Sequence, residues 1–187
     1  MSSYREHQKQ YLIVINLSQK ISNDVKQFKA VFREKFGEAK YLHLWPHITL
    51  SLFSASEEIE IQLKEELSAY ALKLRAFPVQ IEHFACFKKN GVIYLQPEIE
   101  QISKFQDEIP EILEHQIGLE KKYILTARHP HITIARSKKR EQFTKAWDYF
   151  QNLSYHNFFV VKSFHVYRRD LKDYAPWEPC FDLTFNT

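Results

Sequence analysis

A five-residue motif occurs twice in this chain of 187 residues. Residues 46–50 read Pro-His-Ile-Thr-Leu, and residues 130–134 read Pro-His-Ile-Thr-Ile. In a β-strand, residues i and i+2 point to the same side. The His and the Thr of each copy therefore share one face, while the Ile between them can anchor the strand in a core. Two such strands side by side would form a polar surface of four residues, which requires a fold that brings distant parts of the chain together.

The segments around the two copies follow a similar order. Apolar alternation and turn signals predict strands at 11–17, 47–53, 77–87, 92–95, 131–135, 157–167 and 179–185. Helical spacing and caps predict helices from Ser22 or Asn23 to Gly37, from Ser56 onward, and at about 100–116 and 141–153. The order β-α-β-α-β-β followed by α-β-α-β-β indicates two halves of similar plan. Strand alternation also places Ser51 on the face of His47 and Thr49.

Composition indicates a packed globular protein, since 44% of the residues are hydrophobic and 15% are aromatic. We expect one domain over residues 1–187, with the polar residues 1–10 as a flexible N-terminus. No signal peptide is visible, and no apolar run approaches the ~20 residues needed to cross a bilayer. The two cysteines, Cys86 and Cys180, lie in apolar aromatic runs, and we interpret both as small buried side chains of a protein in a reducing compartment. We therefore expect a cytoplasmic monomer that has no membrane partner.

The overall charge permits a local basic site but does not indicate a protein that coats nucleic acid. The chain carries 26 Lys and Arg against 23 Asp and Glu, a net charge of +3. The most basic stretches are residues 136–140 and the pairs at 168–169 and 121–122. We interpret each as a solvated turn or the start of a helix.

The paired His and Thr side chains suit in-line phosphoryl transfer. That reaction needs a base at the attacking oxygen, an acid at the leaving oxygen and donors for the remaining phosphate oxygens. His47 and His131 are the candidate catalytic residues, and Thr49 and Thr133 are the candidate phosphate-binding residues. With ordinary pKa values of about 6.5, one imidazole can be neutral and the other protonated near pH 7. The scheme requires no metal and no other cofactor.

A metal site is the alternative use of these histidines. His43 and His47 are four residues apart, and His129 and His131 are two apart, and zinc sites use such spacings. Pro46 argues against a helical pair, and no acidic or Cys ligand accompanies either motif. We favour the interpretation without a metal.

At these residues the chain resembles the 2H phosphoesterase superfamily, most closely its bacterial 2'-5' RNA ligase and RNA 2',3'-cyclic phosphodiesterase branch. The resemblance rests on residues 46–50, on His-Pro-His-Ile-Thr-Ile-Ala-Arg at 129–136, and on Tyr-Arg-Arg-Asp-Leu at 167–171, which precedes a last strand. It spans nearly the whole chain from Tyr11 onward. The chain departs from the branch at 168–169, where a small hydroxyl residue would follow the first Arg.

The resemblance implies an α/β fold of the α+β type. Its two pseudo-symmetric lobes would each be an antiparallel-rich sheet with helices packed outside, and the active-site cleft would lie between them. It also implies that one His activates water against a 2',3'-cyclic phosphate, while the other protonates the departing ribose oxygen. By the same resemblance, Thr49 and Thr133 hold the phosphate oxygens. The expected partner is an RNA end or a nucleotide.

Four further residues are candidates for contact with a nucleotide. The aromatic rings of Trp45, Phe53 and Tyr167 could stack on a nucleobase, although core packing competes for each of them. Arg136 follows the second motif, but strand parity points it away from the motif's His and Thr. It would reach a substrate only if the strand ends or twists there.

Two other functions fit the same residues. One is cleavage or ligation of 2'-5' linked oligonucleotides, which differs from cyclic-phosphate hydrolysis in substrate alone. The other is non-catalytic binding of RNA ends, which predicts binding without turnover and no bell-shaped pH dependence.

Overall fold

The computed structural model describes residues 8–171 and 175–186. The strands are β1 (Gln8–Asn16), β2 (His47–Ser56), β3 (Phe77–Phe87), β4 (Val92–Pro97), β5 (Ile124–Thr126), β6 (Ile132–Arg136), β7 (Ser154–Val161), β8 (Ser163–Asp170) and β9 (Glu178–Thr184). The helices are α1 (Gln19–Phe36), α2 (Glu60–Ala71), α3 (Glu100–His115) and α4 (Arg140–Phe150), with short 3-10 turns at Glu57–Ile59 and Lys121–Tyr123.

Within the described residues, nine strands form one antiparallel sheet with the order β7-β3-β4-β6-β2-β1-β8-β9, and β5 pairs with β2. The strands β2, β1, β8 and β9 make one half of the sheet, and β6, β4, β3 and β7 make the other. The halves join where Ile48 of β2 lies opposite Ile132 of β6. The predicted α/β fold with antiparallel strands is confirmed, and the two lobes correspond to the two halves of this sheet.

The helices tie the two halves together. Helix α1 follows β1 of the first half but packs against β6 and α4. Helix α3 follows β4 of the second half but packs against β2 and β5. The apolar residues of both motifs, Ile48, Leu50, Ile132 and Ile134, are fully buried in the common core. Each of these helices therefore holds the opposite half of the sheet in place beside the motifs.

Several predicted boundaries need correction. Helix α1 begins at Gln19 because the Ser18 side chain accepts a hydrogen bond from the Ile21 amide, so the cap predicted at Ser22 or Asn23 is wrong. The run predicted as one strand at 157–167 is two strands, β7 and β8, and β5 was not predicted. Residues 8–10 belong to β1, so the flexible terminus predicted for residues 1–10 is wrong there, and residues 1–7 lie outside the described part.

Two other sequence expectations concern thiols and membranes. Cys86 and Cys180 are free and only partly buried. Among the described helices, none has the length and the apolar character needed to cross a bilayer.

A buried lysine holds the loop that precedes β2. Lys29 of α1 is only 5% exposed, and its amine donates hydrogen bonds to the carbonyls of Tyr41 at 2.8 Å and Leu44 at 2.7 Å. Burial lowers the pKa of Lys29 to about 8. A neutral amine still has two N–H groups, which match the two carbonyls. The amine therefore fixes residues 41–44 whether or not it carries a charge.

The turn between β3 and β4 is held against the end of β6. Gly91 has a φ of +65°, and its carbonyl accepts a hydrogen bond from the Ser137 amide at 2.8 Å. A Cβ atom at this position would overlap the Ser137 carbonyl oxygen. Only glycine allows this close approach, which fixes the β3–β4 hairpin beside the second motif strand.

We expect Gly91→Ala to destabilise the fold more than Gly118→Ala does. Both glycines have a positive φ, for which alanine costs roughly 1–2 kcal/mol, but Gly118 has open space around its Cα. The overlap at Gly91 should add about 1–3 kcal/mol. Urea unfolding of both variants measures the difference, and equal losses would show that the Gly91–Ser137 contact is not tight.

Lys29 should make stability depend on pH in a defined window. Its pKa is about 8 in the folded chain and near the ordinary 10.5 when unfolded, so between these values the unfolded chain binds more protons. The free energy of unfolding of the wild type, relative to Lys29→Met, should therefore rise from about pH 8 to 10.5 and stay constant below about pH 8. Lys26→Met, an exposed site on the same helix, is the control. A wild-type advantage over Lys29→Met that is constant from pH 7 to 10.5 would contradict the buried-amine assignment.

Candidate active site

A β-bulge follows the first motif on β2. Thr49 lies opposite Val14 of β1, but Ser51 lies opposite Ile13, so Leu50 is the extra residue. The bulge breaks the strand alternation, and Ser51 is turned into the core with 0% exposure. The predicted placement of Ser51 beside His47 and Thr49 is therefore wrong. Leu52 returns to the motif face and lines the cleft described below.

The second motif is followed by a bulge at the matching position. Thr133 of β6 lies opposite Tyr94 of β4, and Ala135 lies opposite Ile93, so Ile134 is the extra residue. Ala135 is fully buried, as Ser51 is in the first copy. The duplication thus extends beyond the identical residues to the local backbone geometry.

The pairing of β2 with β6 brings the two motifs face to face. Since the strands are antiparallel and Ile48 lies opposite Ile132, His47 lies across from Thr133 and Thr49 across from His131. The four side chains line one cleft with a volume of about 570 Å³, a size typical of small-molecule sites. The polar surface expected from the motifs is therefore present.

Both imidazoles are oriented by the same backbone contact. Nδ1 of His47 donates to the Trp45 carbonyl at 2.9 Å, and Nδ1 of His131 donates to the His129 carbonyl at 2.8 Å. A carbonyl can only accept, so Nδ1 carries the proton in each ring. This leaves Nε2 of each ring as the nitrogen available to a ligand in the cleft.

The rings differ in their aromatic neighbours. The His47 ring packs on the indole of Trp45, with the centroids 4.7 Å apart. The His131 ring meets the rings of Phe87 and Tyr94 edge to face, at 5.1 and 5.4 Å. Each imidazole is therefore fixed on one side by a carbonyl and on another by apolar rings.

Burial favours the neutral form of both imidazoles. The pKa of His47 is lowered to about 4, first by burial and further by the nearby charges of Lys29 and His131, against the opposing effect of the Trp45 carbonyl. Burial also lowers the pKa of His131, against the opposing effect of the hydrogen bond to the His129 carbonyl, and the nearby His129 ring lowers it slightly further. The expectation that one imidazole is protonated near pH 7 is therefore wrong for the free protein.

Two of the four candidate nucleotide contacts form one cluster at the cleft. Trp45 lines the cleft, and its Nε1 donates to Asn16 Oδ1 at 3.3 Å. The Asn16 amide donates to the Tyr167 hydroxyl at 3.0 Å, and the Tyr167 ring packs on Trp45 at 4.8 Å. Tyr167 therefore supports Trp45 from behind, and Trp45 in turn supports His47.

The other two candidates have different surroundings. Phe53 is 1% exposed and stacks on Tyr11 in the core, so it has no surface to offer a nucleobase and its proposed role is wrong. The bulge at Leu50 explains this burial, because it turns Phe53 to the core side of β2. Arg136 lies outside the lining of the cleft and donates to the Asn90 carbonyl and the Tyr41 hydroxyl, at 3.3 and 3.5 Å.

The two arginines of β8 have separate roles. Arg168 forms ion pairs with Glu57 and Glu60 at 2.8 and 2.6 Å, on the side away from the cleft. Arg169 lines the cleft, donates to Gln10 Oε1 and lies over the Trp177 ring at 4.3 Å. Arg169 stands where a small hydroxyl residue was expected after the first Arg, and it thus adds a cation to the cleft.

Several residues of the site were missed from the sequence. They are Lys29, Lys40, Tyr41, Arg169 and Trp177, which line the cleft, and Gln106, which donates to the Thr49 carbonyl at 2.8 Å from α3. Lys29 alone had a sequence signal, because it falls between Val25 and Phe32 on the buried stripe of α1. Within the described residues, no cluster of three or more His, Cys, Asp or Glu side chains could hold a metal ion.

The chain matches one family and several solved structures. The profile of the 2'-5' RNA ligase superfamily matches residues 17–173. TT0787 of Thermus thermophilus has a TM-score of 0.74 at 17% identity, covering 95% of this chain and 98% of that one. Apo LigT of E. coli has a TM-score of 0.64 at 17% identity, covering 96% and 99%. LigT has also been crystallised with 3'-AMP. No curated protein matches the sequence.

At these identities the structural likenesses show the fold alone. The family match covers most of the chain, including both His-x-Thr motifs, the bulged strands that carry them and the helices that join the halves of the sheet. The chain therefore belongs to the 2'-5' RNA ligase superfamily of 2H phosphoesterases.

Proposed function

We propose that this protein is a metal-independent phosphodiesterase that hydrolyses 2',3'-cyclic phosphates of RNA ends or small nucleotides. The observation that carries the proposal is the pair of imidazoles on the floor of one cleft, each with Nδ1 fixed by a carbonyl and Nε2 left for the ligand. The family, whose E. coli member LigT has been crystallised with 3'-AMP, supports a phosphoesterase that accepts nucleotides.

The two imidazoles divide the proton transfers. We assign His47 as the base because its pKa, lowered to about 4, keeps it neutral over most of the pH range. Nε2 of His47 takes a proton from water as the water oxygen bonds to phosphorus. His131, in its imidazolium form, gives the proton on Nε2 to the ribose oxygen as the phosphorus–oxygen bond to that oxygen breaks. The product is a phosphate monoester, and solvent exchange restores both rings.

The threonines and the bound phosphate complete the site. The hydroxyls of Thr49 and Thr133 line the cleft with the imidazoles and can donate to the non-bridging oxygens. A bound phosphate anion stabilises the imidazolium form, so substrate binding helps His131 to hold its proton. The energetic cost of protonating a buried ring is therefore offset by the substrate itself.

The family name supports a second candidate function at the same residues. If a ribose hydroxyl takes the place of water, it attacks the cyclic phosphate and forms a 2'-5' phosphodiester. His47 would accept the proton of that hydroxyl, and His131 would protonate the departing oxygen. Product analysis with an RNA bearing a free 5'-hydroxyl separates ligation from hydrolysis.

Removing either imidazole should abolish most of the activity. His47→Ala and His131→Ala should each lower kcat at least about a hundredfold, as expected for loss of a general acid or base. The assay is hydrolysis of a nucleoside 2',3'-cyclic phosphate with chelator present, and thermal unfolding verifies that each variant is folded. His156→Ala, an exposed site on β7, is the matched control. Full activity in either cleft variant rejects the proposal, and binding without turnover by the wild type indicates a non-catalytic RNA-end binder.

The pH optimum of kcat/KM should lie below pH 7. For the free enzyme, kcat/KM needs neutral His47, which sets an acidic limb near pH 4, and protonated His131, whose lowered pKa sets an alkaline limb below the ordinary 6.5. The kcat profile should lie at higher pH, because bound phosphate favours the imidazolium. Lys29→Met should move the acidic limb upward, since it removes a charge that lowers the pKa of His47, and Lys26→Met should not. A kcat/KM that keeps rising through pH 7 to 8 would contradict these roles.

A further inference from the structure

A strongly basic depression lies beside the active-site cleft. It is formed by the β3–β4 turn, the end of β6 and the first turns of α4, and it has a volume of about 700 Å³. Its cations are Lys88, Lys89, Arg136, Lys138 and Arg140. No acidic side chain is among the described residues that line it. We refer to it as the basic depression. In a chain with a net charge of only +3, five cations in one concave surface are a marked concentration.

The start of α4 adds partial positive charge to this surface. Its cap residue, Lys139, makes no side-chain hydrogen bond to the helix. The first N–H groups of a helix have no partner within the helix, and its dipole favours an anion at that end. The one acidic residue of the first turn, Glu141, has its carboxylate paired with Lys145 at 2.8 Å. The helix end is therefore suited to a phosphate group.

A buried hydroxyl without a partner in the described part of the chain lies in the wall of the same depression. Ser137 lines the basic depression and is only 6% exposed, and its Oγ has no hydrogen-bond partner among the described residues. Its amide is used by the Gly91 carbonyl, so the hydroxyl alone remains free. A buried hydroxyl without a partner is costly, and an anion that accepts its proton would remove that cost.

The basic depression is continuous with the cleft. The backbone of Arg136 pairs with that of Lys40 through hydrogen bonds of 2.9 and 3.0 Å, and its guanidinium contacts the Tyr41 hydroxyl at 3.5 Å. Lys40 and Tyr41 line the cleft. The bulge at Ile134 explains this position, because it returns Arg136 to the motif side of β6. Arg136 thus lies between the two concave surfaces.

We propose that the basic depression binds an internal backbone phosphate of a single-stranded RNA whose terminal phosphate occupies the histidine cleft. This inference rests on the proposed function and specifies an oligonucleotide as its substrate. A mononucleotide could fill the cleft but would leave the neighbouring cations without a phosphate. A chain with a phosphate at every nucleotide matches two phosphate sites joined by Arg136, and the partly buried Trp147 ring in the lining offers a surface for a base.

Charge removal in the basic depression tests the proposal. The variant Lys88→Ala/Lys138→Ala removes two exposed cations outside the cleft, and Lys64→Ala/Lys73→Ala removes two exposed cations elsewhere. On a short RNA ending in a 2',3'-cyclic phosphate, the first variant should lose about tenfold in kcat/KM at low salt. On a mononucleoside cyclic phosphate, the kcat/KM of the first variant should equal that of the wild type. The control variant should equal the wild type on both substrates. Equal effects of the first variant on the two substrates would overturn the proposal.

Binding of the same RNA separates this inference from the catalytic one. In a His47→Ala/His131→Ala background, fluorescence anisotropy of the labelled RNA should show weaker binding for the Lys88→Ala/Lys138→Ala variant. The slope of log K against log salt should decrease by about 0.7 for each lost phosphate contact. That result supports the RNA site even if the wild type proves inactive in hydrolysis. RNA affinity that is unchanged, with binding to phosphatidylserine vesicles that depends on the two lysines, would assign the surface to a membrane and overturn the proposal.

Discussion

The active site depends on the antiparallel contact between β2 and β6, where Ile48 lies opposite Ile132. This register sets each His across from the Thr of the other motif and buries both Ile side chains on the opposite face. A slip of one residue on either strand would turn its His and Thr into the core. The strand contact is short, so the helices that cross between the halves stabilise it. Helix α1 packs on β6, α3 packs on β2, and Gln106 of α3 bonds the Thr49 carbonyl beside the bulge.

The sequence predicted the fold class and the grouping of the four motif residues because both follow from short-range periodicity. Strand alternation holds across each His-x-Thr unit, so the two faces were correct up to Thr49 and Thr133. It failed at the next residues, where the bulges add one residue to each strand. The same irregularity buries Ser51 and Phe53 and returns Arg136 toward the cleft. A bulge is defined by its pairing with a neighbouring strand, and a single-strand pattern does not contain that information.

The remaining residues of the site come from segments distant in sequence. Arg169 reaches the cleft from β8 and Trp177 from the segment just before β9, and their position depends on the strand order rather than on any local motif. Lys29 differs from these residues because the sequence alone gives a signal for it. A lysine on the apolar stripe of α1 would be buried, and a buried lysine needs hydrogen-bond partners. Its partners are the Tyr41 and Leu44 carbonyls. Lys29 therefore holds the loop that places Trp45 against His47. The missed lysine is therefore a structural support and a source of positive potential at once.

The duplicated motif supplies the same His and Thr groups in both halves. The differences between the halves decide which imidazole acts as the base and which as the acid. Two identical imidazole environments would give two equal pKa values, and neither ring would be preferred as base or acid. Burial lowers the pKa of both rings, but Lys29, on the α1 side, lowers the pKa of His47 further. The surroundings also diverge beyond the rings, with Trp45 and Arg169 on one side and the cations at the end of β6 on the other. A pseudo-symmetric site can thus bind an asymmetric substrate. The duplicated His residues transfer protons, and the residues that differ between the halves orient the substrate.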